Sequence, residues 1–114
     1  MRALYLFLAM IMVAQAAYAL APGDFKGQSA LIVFWREDCP PCLHELEILP
    51  KIAKTYPELP IVTITLNDKV QTTAFGDTKH TLPYSVMLHA DGSLCKNHYG
   101  ILGSDLVKEW LKTC

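Results

Sequence analysis

The feature that most constrains this chain is a junction. Ala30 to Trp35 (Ala-Leu-Ile-Val-Phe-Trp) is an unbroken apolar run rich in strand formers, and it leads directly into Cys39-Pro40-Pro41-Cys42. A short apolar run without alternation reads as a strand buried on both faces, so layers must cover it on either side. From Pro40 to about Tyr56, Leu43, Leu46, Ile48 or Leu49, and Ala53 recur at helical spacing, while Glu45, Lys51 and Lys54 supply polar positions. That pattern predicts an amphipathic helix. Pro50 falls inside it, where the missing N–H and the ring should kink the helix or split it in two. Pro60 to Leu66 then alternates Ile61, Thr63, Thr65 against Val62, Ile64, Leu66, a second strand. Strand, helix, strand at this spacing predicts a parallel crossover.

The remainder is plainer. Asn67 to His80 is polar and weakly periodic, either a short helix or a loop. After Pro83, Tyr84 to His89 reads as a strand, Asp91-Gly92 as a hairpin turn and Ser93 to Tyr99 as the antiparallel partner. Ser104 is placed to N-cap a final helix whose apolar stripe is Leu106, Val107, Trp110 and Leu111, ending near Thr113. The order is β-α-β, a connector, then β-β-α, an α/β fold. At 114 residues there is room for one small domain. With 10 Lys+Arg against 11 Asp+Glu the chain has no positive field to gather polyanions, so no nucleic-acid partner is expected.

The N-terminus is an export segment by its pattern. Met1 and Arg2 precede the apolar stretch Ala3 to Ala14, and small residues follow at Ala14-Gln15-Ala16 and Ala17-Tyr18-Ala19. These are the three parts of a secretory signal peptide, with cleavage after Ala19 and a domain over 20–114. Retention of 1–19 as a membrane anchor is the alternative, because Ala3 to Ala21 approaches the roughly 20 residues that span a bilayer. Either way the domain faces an oxidising compartment, periplasmic or otherwise outside the cytoplasm.

The chemistry sits at the junction. Two cysteines flanking the first turn of a helix bring their sulfurs within disulfide reach. Unpaired N–H groups and the positive end of the helix dipole favour a thiolate there, so Cys39 is the predicted nucleophile. Pro40 and Pro41 have φ preset for the first turn and lack N–H groups that would be orphaned there. Pro40 also removes a donor near Cys39, which limits stabilisation of its thiolate. A simple staple or half of a zinc site are the other readings; Cys95 and Cys114 do not form the second close pair that a zinc site needs, and His44 is poorly placed to complete one. No metal or cofactor is expected. Cys95 and Cys114 are most simply a second, structural disulfide, worth about 3 kcal/mol by the chain-entropy estimate. A second redox pair is the competing idea. His44 could tune the dithiol or join Cys39 and Cys42 around Cu(I); His80, His89 and His98 receive no role. Phe34, Trp35 and Trp110 read as core or groove-lining aromatics.

Phe34 to Cys42, Leu82-Pro83 before a strand, Asp91-Gly92, and Gly100 before a C-terminal helix together resemble the thioredoxin superfamily over about residues 28–113. The Cys-Pro-Pro-Cys form, Glu45 three positions after the second Cys and the export signal resemble its TlpA-like branch. Those proteins are exported reductants that serve cytochrome c maturation and related tasks. The resemblance implies that Cys39 attacks a substrate disulfide and Cys42 resolves the mixed disulfide. It implies that Pro83 is the cis-proline beside the dithiol, that the backbone of Leu82 pairs with an extended substrate segment, and that Trp35 lines the groove. Glu45 would exchange the proton of Cys42; a solvated helix carboxylate is the alternative.

Departures from the pattern matter too. Asp38 replaces the usual Trp before the first Cys, and its charge should oppose a thiolate at Cys39. Val33 stands where cytoplasmic thioredoxins carry a buried acid, which leaves Glu45 first in line for proton handling. Pro50 lies further from Cys42 than the family kink, so the kink should be displaced. The stretch before Ala30 is too short for the first strand and helix of a full thioredoxin, so a trimmed, four-stranded mixed sheet is expected. Three functions follow: a reductant of protein disulfides recharged by a membrane thiol donor and working as a monomer, an oxidant on the same scaffold, or a Cu(I) chaperone using Cys39, Cys42 and His44.

Overall fold

The computed structural model describes residues 20–67 and 72–114. The predicted leader, 1–19, and its cleavage site lie outside the described residues. Four strands form one mixed sheet in the order β2-β1-β3-β4, with β1 Ala30–Trp35, β2 Ile61–Thr65, β3 Tyr84–Leu88 and β4 Leu94–Tyr99. β1 pairs parallel with β2 and antiparallel with β3, and β3 pairs antiparallel with β4. Among the described residues two α-helices accompany the sheet: α1 Pro40–Thr55 and α2 Ser104–Thr113. The trimmed thioredoxin-like α/β fold expected from the residues is the observed one. No helix among the described residues is long and apolar enough to cross a membrane.

The central position of β1 explains its lack of alternation. Leu31 and Val33 face one side and pack with Leu49 and Ile52 of α1, Met87 of β3, and Leu102, Val107 and Trp110 at α2. Ala30, Ile32 and Phe34 face the other side with Ile64, Phe75, Tyr84, Val86 and Leu88. Each fully buried Leu, Ile, Val or Phe contributes about 1.5–3 kcal/mol. Both α-helices therefore lie on one face of the sheet. The other is closed by two 3₁₀ turns, Pro22–Phe25 and Thr72–Phe75, and by aromatic contacts. Phe34 meets Phe75 edge-on at 5.0 Å and stacks on Tyr84 at 6.0 Å. Thr72–Phe75 is what the polar connector contains.

Three expectations are corrected. The buried face of α1 is Cys42, Glu45, Leu49 and Ile52, whereas Leu43 is 46% exposed and Ala53 is exposed. Apolar residues alone misplaced the stripe, because its second member is a carboxylate. Pro50 does not split the helix, which runs continuously from Pro40 to Thr55 with Pro50 on its exposed side. There a missing N–H costs less, since water can reach the Leu46 carbonyl it would have bonded. Gly103, not Ser104, is the N-cap of α2, with no side-chain cap bond.

The hairpin carries a bulge. Leu88 pairs with Leu94 but Met87 pairs with Lys96, so Cys95 is the extra residue. A bulge re-aims side chains locally, and Cys95 is joined from it to Cys114 at the end of α2. Gly92 at the turn has φ +88, and a Cβ there would meet the Pro22 carbonyl oxygen at 3.1 Å. Only glycine suits both the angle and the close approach.

Candidate active site

The chain leaves the buried end of β1 at Trp35, crosses Arg36-Glu37-Asp38 on the surface and enters α1 at Cys39, its N-cap. The two sulfurs of Cys39 and Cys42 are bonded at 2.14 Å, with Cα atoms 5.2 Å apart. Cys42 is fully buried, while Cys39 is half-buried, so of the two residues Cys39 is the one that reaches the surface. Cys39 Sγ accepts a hydrogen bond of 3.2 Å from the Cys42 N–H. Pro40 and Pro41 hold the first two helical positions and have no N–H to give. A thiolate on Cys39 thus has one helical N–H at hand, where an ordinary helix start supplies more.

Asp38 is exposed and paired with Arg36 at 3.0 Å. The charge expected to oppose the thiolate is partly offset by this partner. His44 is exposed on α1. Among the described residues no group of three or more His, Cys, Asp or Glu is arranged to hold a metal ion.

Glu45 lies one turn beyond Cys42 on the same helical face and is fully buried, not a solvated carboxylate. Its Oε1 accepts from the Leu102 N–H at 2.7 Å and from Ser85 Oγ at 3.4 Å. Its Oε2 is buried and makes no hydrogen bond among the described residues. Burial raises the Glu45 carboxyl above the ordinary range, and the bonds from Leu102 and Ser85 only partly oppose that. Such a group holds its proton more readily than a surface glutamate, as an acid–base partner working near neutrality must.

Pro83 is buried and the Leu82–Pro83 peptide is cis. Tyr84 pairs with Phe34, so this peptide lies beside the end of β1 where the chain departs toward the dithiol. The Pro83 carbonyl accepts from Gly100 N–H at 2.9 Å. Leu82 and Trp35 are half-buried at the same end of the sheet, and Leu66 N–H bonds the Trp35 carbonyl at 2.8 Å. Cys95 and Cys114 form a disulfide of 2.05 Å at the opposite end of β4.

Sequence reasoning passed over Ser85, Leu102 and Asp77. Ser85 had a signal, as the lone polar residue of the buried run Tyr84–Leu88. Leu102 acts through its backbone, which no residue type announces. Asp77 is buried in the connector and accepts from Thr72 Oγ1 at 2.7 Å, from Tyr99 OH and His80 N–H at 2.9 Å each, and from Lys79 N–H at 3.2 Å. Burial would raise its carboxyl, but these four bonds more than offset that and hold it below the ordinary range.

The Redoxin family model matches residues 10–112. No curated protein sequence matches the chain significantly. Among solved structures, StoA from Bacillus subtilis is 25% identical, with 75% of this chain and 84% of that one covered at a TM-score of 0.59. The exposed lipoprotein thioredoxin Etrx1 from Streptococcus pneumoniae is 20% identical over 82% of this chain and 90% of that one, TM-score 0.66. MTB DsbF, solved in mixed oxidised and reduced forms, is 18% identical over 78% and 82%, TM-score 0.60. With a bonded Cys-Pro-Pro-Cys pair at the strand-to-helix junction and a family match across most of its length, the chain belongs to the Redoxin family and is a TlpA-like, thioredoxin-fold thiol:disulfide oxidoreductase.

Proposed function

We propose that this chain is an exported reductant of protein disulfides, with Cys39 as nucleophile, Cys42 as resolving thiol and Glu45 as the acid–base group between them. In the reduced protein the Cys39 thiolate attacks one sulfur of a substrate disulfide, forming a mixed disulfide and expelling the other substrate sulfur as a thiolate. Cys42 loses its proton to Glu45 and attacks Cys39 Sγ, which releases the second substrate thiolate. Two electrons pass to the substrate and the Cys39–Cys42 bond of the observed state is formed. Leu82 and Pro83, beside Trp35, offer the edge along which an extended substrate segment would lie. The Cys95–Cys114 bond serves as a staple and takes no part in turnover.

The observation that carries this reading is the asymmetry of the pair: Cys39 is accessible at a helix start with one N–H donor, and Cys42 is fully buried above an acid. A poorly stabilised thiolate favours giving electrons away, since strong oxidants owe their potential to a stabilised reduced form. Export is supported by the pattern of residues 1–19, with an exposed lipoprotein among the structural neighbours. A membrane thiol donor would then return the pair to its reduced form, and the domain would act as a monomer. Cytochrome c maturation is one task such a reductant serves.

The test is a Cys42→Ser variant, which should hold substrate proteins on Cys39 as mixed disulfides recoverable from the cell envelope. Capture of no protein, or capture that persists when Cys39 is also replaced, overturns the mechanism. A reduction potential of about −270 mV, near thioredoxin's, supports reduction, whereas one near about −120 mV would assign the chain to disulfide formation.

A further inference from the structure

We infer that His98 is a positioning residue for Glu45, acting through the single peptide unit that joins Ile101 to Leu102. The inference rests on the proposed acid–base role of Glu45 for its consequence, but not for its geometry. His98 Nε2 lies 3.2 Å from the Ile101 carbonyl oxygen, and the Leu102 N–H donates to Glu45 Oε1 at 2.7 Å. That carbonyl and that N–H are the two ends of one planar, trans peptide group. Fixing the oxygen at His98 fixes the direction of the N–H at Glu45, and a donor on the oxygen also polarises the N–H and strengthens its bond.

The surrounding bonds make the arrangement specific. Gly100, with φ +94, donates its N–H to Pro83 O at 2.9 Å. The short bridge from Gly100 to Leu102 therefore holds the Pro83 carbonyl, one residue past the cis peptide, at one end and the buried acid at the other. Leu102 is itself fully buried, which anchors the far end of the bridge, while Ile101 between them is 41% exposed. Without His98 the Ile101 carbonyl would lose this donor, and the Ile101–Leu102 peptide would be held on its N–H side alone. His98 is also the cross-strand partner of Ser85, the second donor to Glu45 Oε1. Both donors thus converge on one oxygen, and the proton of the neutral acid is left to Oε2.

The groups facing Glu45 are Cys42 on its own helix, Ser85 from β3 and the Leu102 N–H from the bridge, with no charged side chain contributing to its shift. On the His98 face of the sheet are Ser85 and, two residues earlier in β4, Lys96; Asp105 lies in the first turn of α2. The pull on Glu45 from this side therefore passes through a peptide dipole. A carbonyl oxygen can only accept, so His98 Nε2 is the donor in this contact.

The test uses the full chain with His98→Ala and His98→Gln, each also combined with Glu45→Gln. The Glu45 carboxyl carbon is followed by NMR as pH is varied, and disulfide reduction is assayed in parallel. His98→Ala should move the Glu45 midpoint upward and slow turnover about threefold, the worth of one modest hydrogen bond. His98→Gln, whose amide can donate to the same carbonyl, should restore both. In the Glu45→Gln background, His98→Ala should cause no further loss of rate. An unmoved Glu45 midpoint in a folded His98→Ala protein, failure of Gln to restore it, or an additional rate loss without the carboxylate would overturn the inference. If the midpoint moves as stated but Glu45→Gln retains full activity, the positioning stands and the acid–base assignment of Glu45 fails instead.

Discussion

Glu45 and Asp77 are both buried carboxylates, on opposite sides of one small sheet, and they are shifted in opposite directions. Asp77 receives hydrogen bonds from two hydroxyls and two backbone N–H groups, spread over both oxygens. Glu45 receives two, one of them long, both on Oε1. Burial penalises the charge in each case, and the number of donors decides which side prevails. Asp77 is built to stay ionised and tie the connector down ahead of Leu82 and Pro83. Glu45 is left with a raised carboxyl pKa one turn beyond Cys42, which suits the acid–base role proposed for it. The difference separates an acid held ionised from one that holds its proton more readily, without reference to distance from the dithiol.

The largest effect should follow from Asp77→Ala, which strands the hydroxyls of Thr72 and Tyr99 and the N–H groups of Lys79 and His80. About 3 kcal/mol of folding stability should be lost, read by urea unfolding. A loss below about 1 kcal/mol would mean that water replaces the carboxylate and that the contrast with Glu45 is weaker than drawn.

Glu45→Gln should do the reverse, leaving stability at neutral pH equal or improved while slowing disulfide reduction by about a hundredfold, toward the low end of what positioned acid–base groups supply. The two acids also differ in their pH linkage. Asp77, with its folded pKa lowered, adds stability that is present above its unfolded value of about 3.9 and is lost as pH falls through the folded one. Glu45, with its folded pKa raised, adds stability that is complete below its unfolded value of about 4.3 and is lost as pH rises through the folded one. Unfolding measured across pH should therefore lose part of its acid limb in Asp77→Asn and part of its decline toward neutrality in Glu45→Gln. Exchange of those two signatures would break the comparison.

The smallest effect belongs to Leu43→Ser. Leu43 reads as part of the apolar stripe of α1 but is 46% exposed, so stability should change by no more than about 0.5 kcal/mol. A cost near 2 kcal/mol would restore the original stripe and return Glu45 to the surface.

Much of this architecture was legible because it is written in side-chain type and order. The run Ala30 to Trp35 announces a strand buried on both faces, the cysteines and prolines announce the first turn of a helix, and Asp91-Gly92 announces the hairpin. What escaped was set by tertiary contact. Glu45 is singled out by the resemblance, but its burial is not legible until Ser85 and the Leu102 N–H are brought against it from elsewhere in the fold. Asp77 sits in a polar connector with no periodicity, and its donors include Tyr99, which reaches it from the last strand. Helix periodicity counts apolar residues, so a buried acid on the core face of α1 shifted the inferred stripe onto Leu43. Gly103 at the N-cap of α2 escaped because glycine supplies no side-chain oxygen, which Ser104 has and does not use for capping.

The central claim is that Cys39 is the sulfur that meets partners while Cys42 waits beneath it. Limited reduction of the oxidised protein, with immediate alkylation and peptide mass spectrometry, tests it most directly. Label should arrive first on Cys39, with Cys42 modified slowly and the Cys95–Cys114 bond intact. First labelling at Cys42, or opening of Cys95–Cys114 before the Cys39–Cys42 bond, would contradict the account.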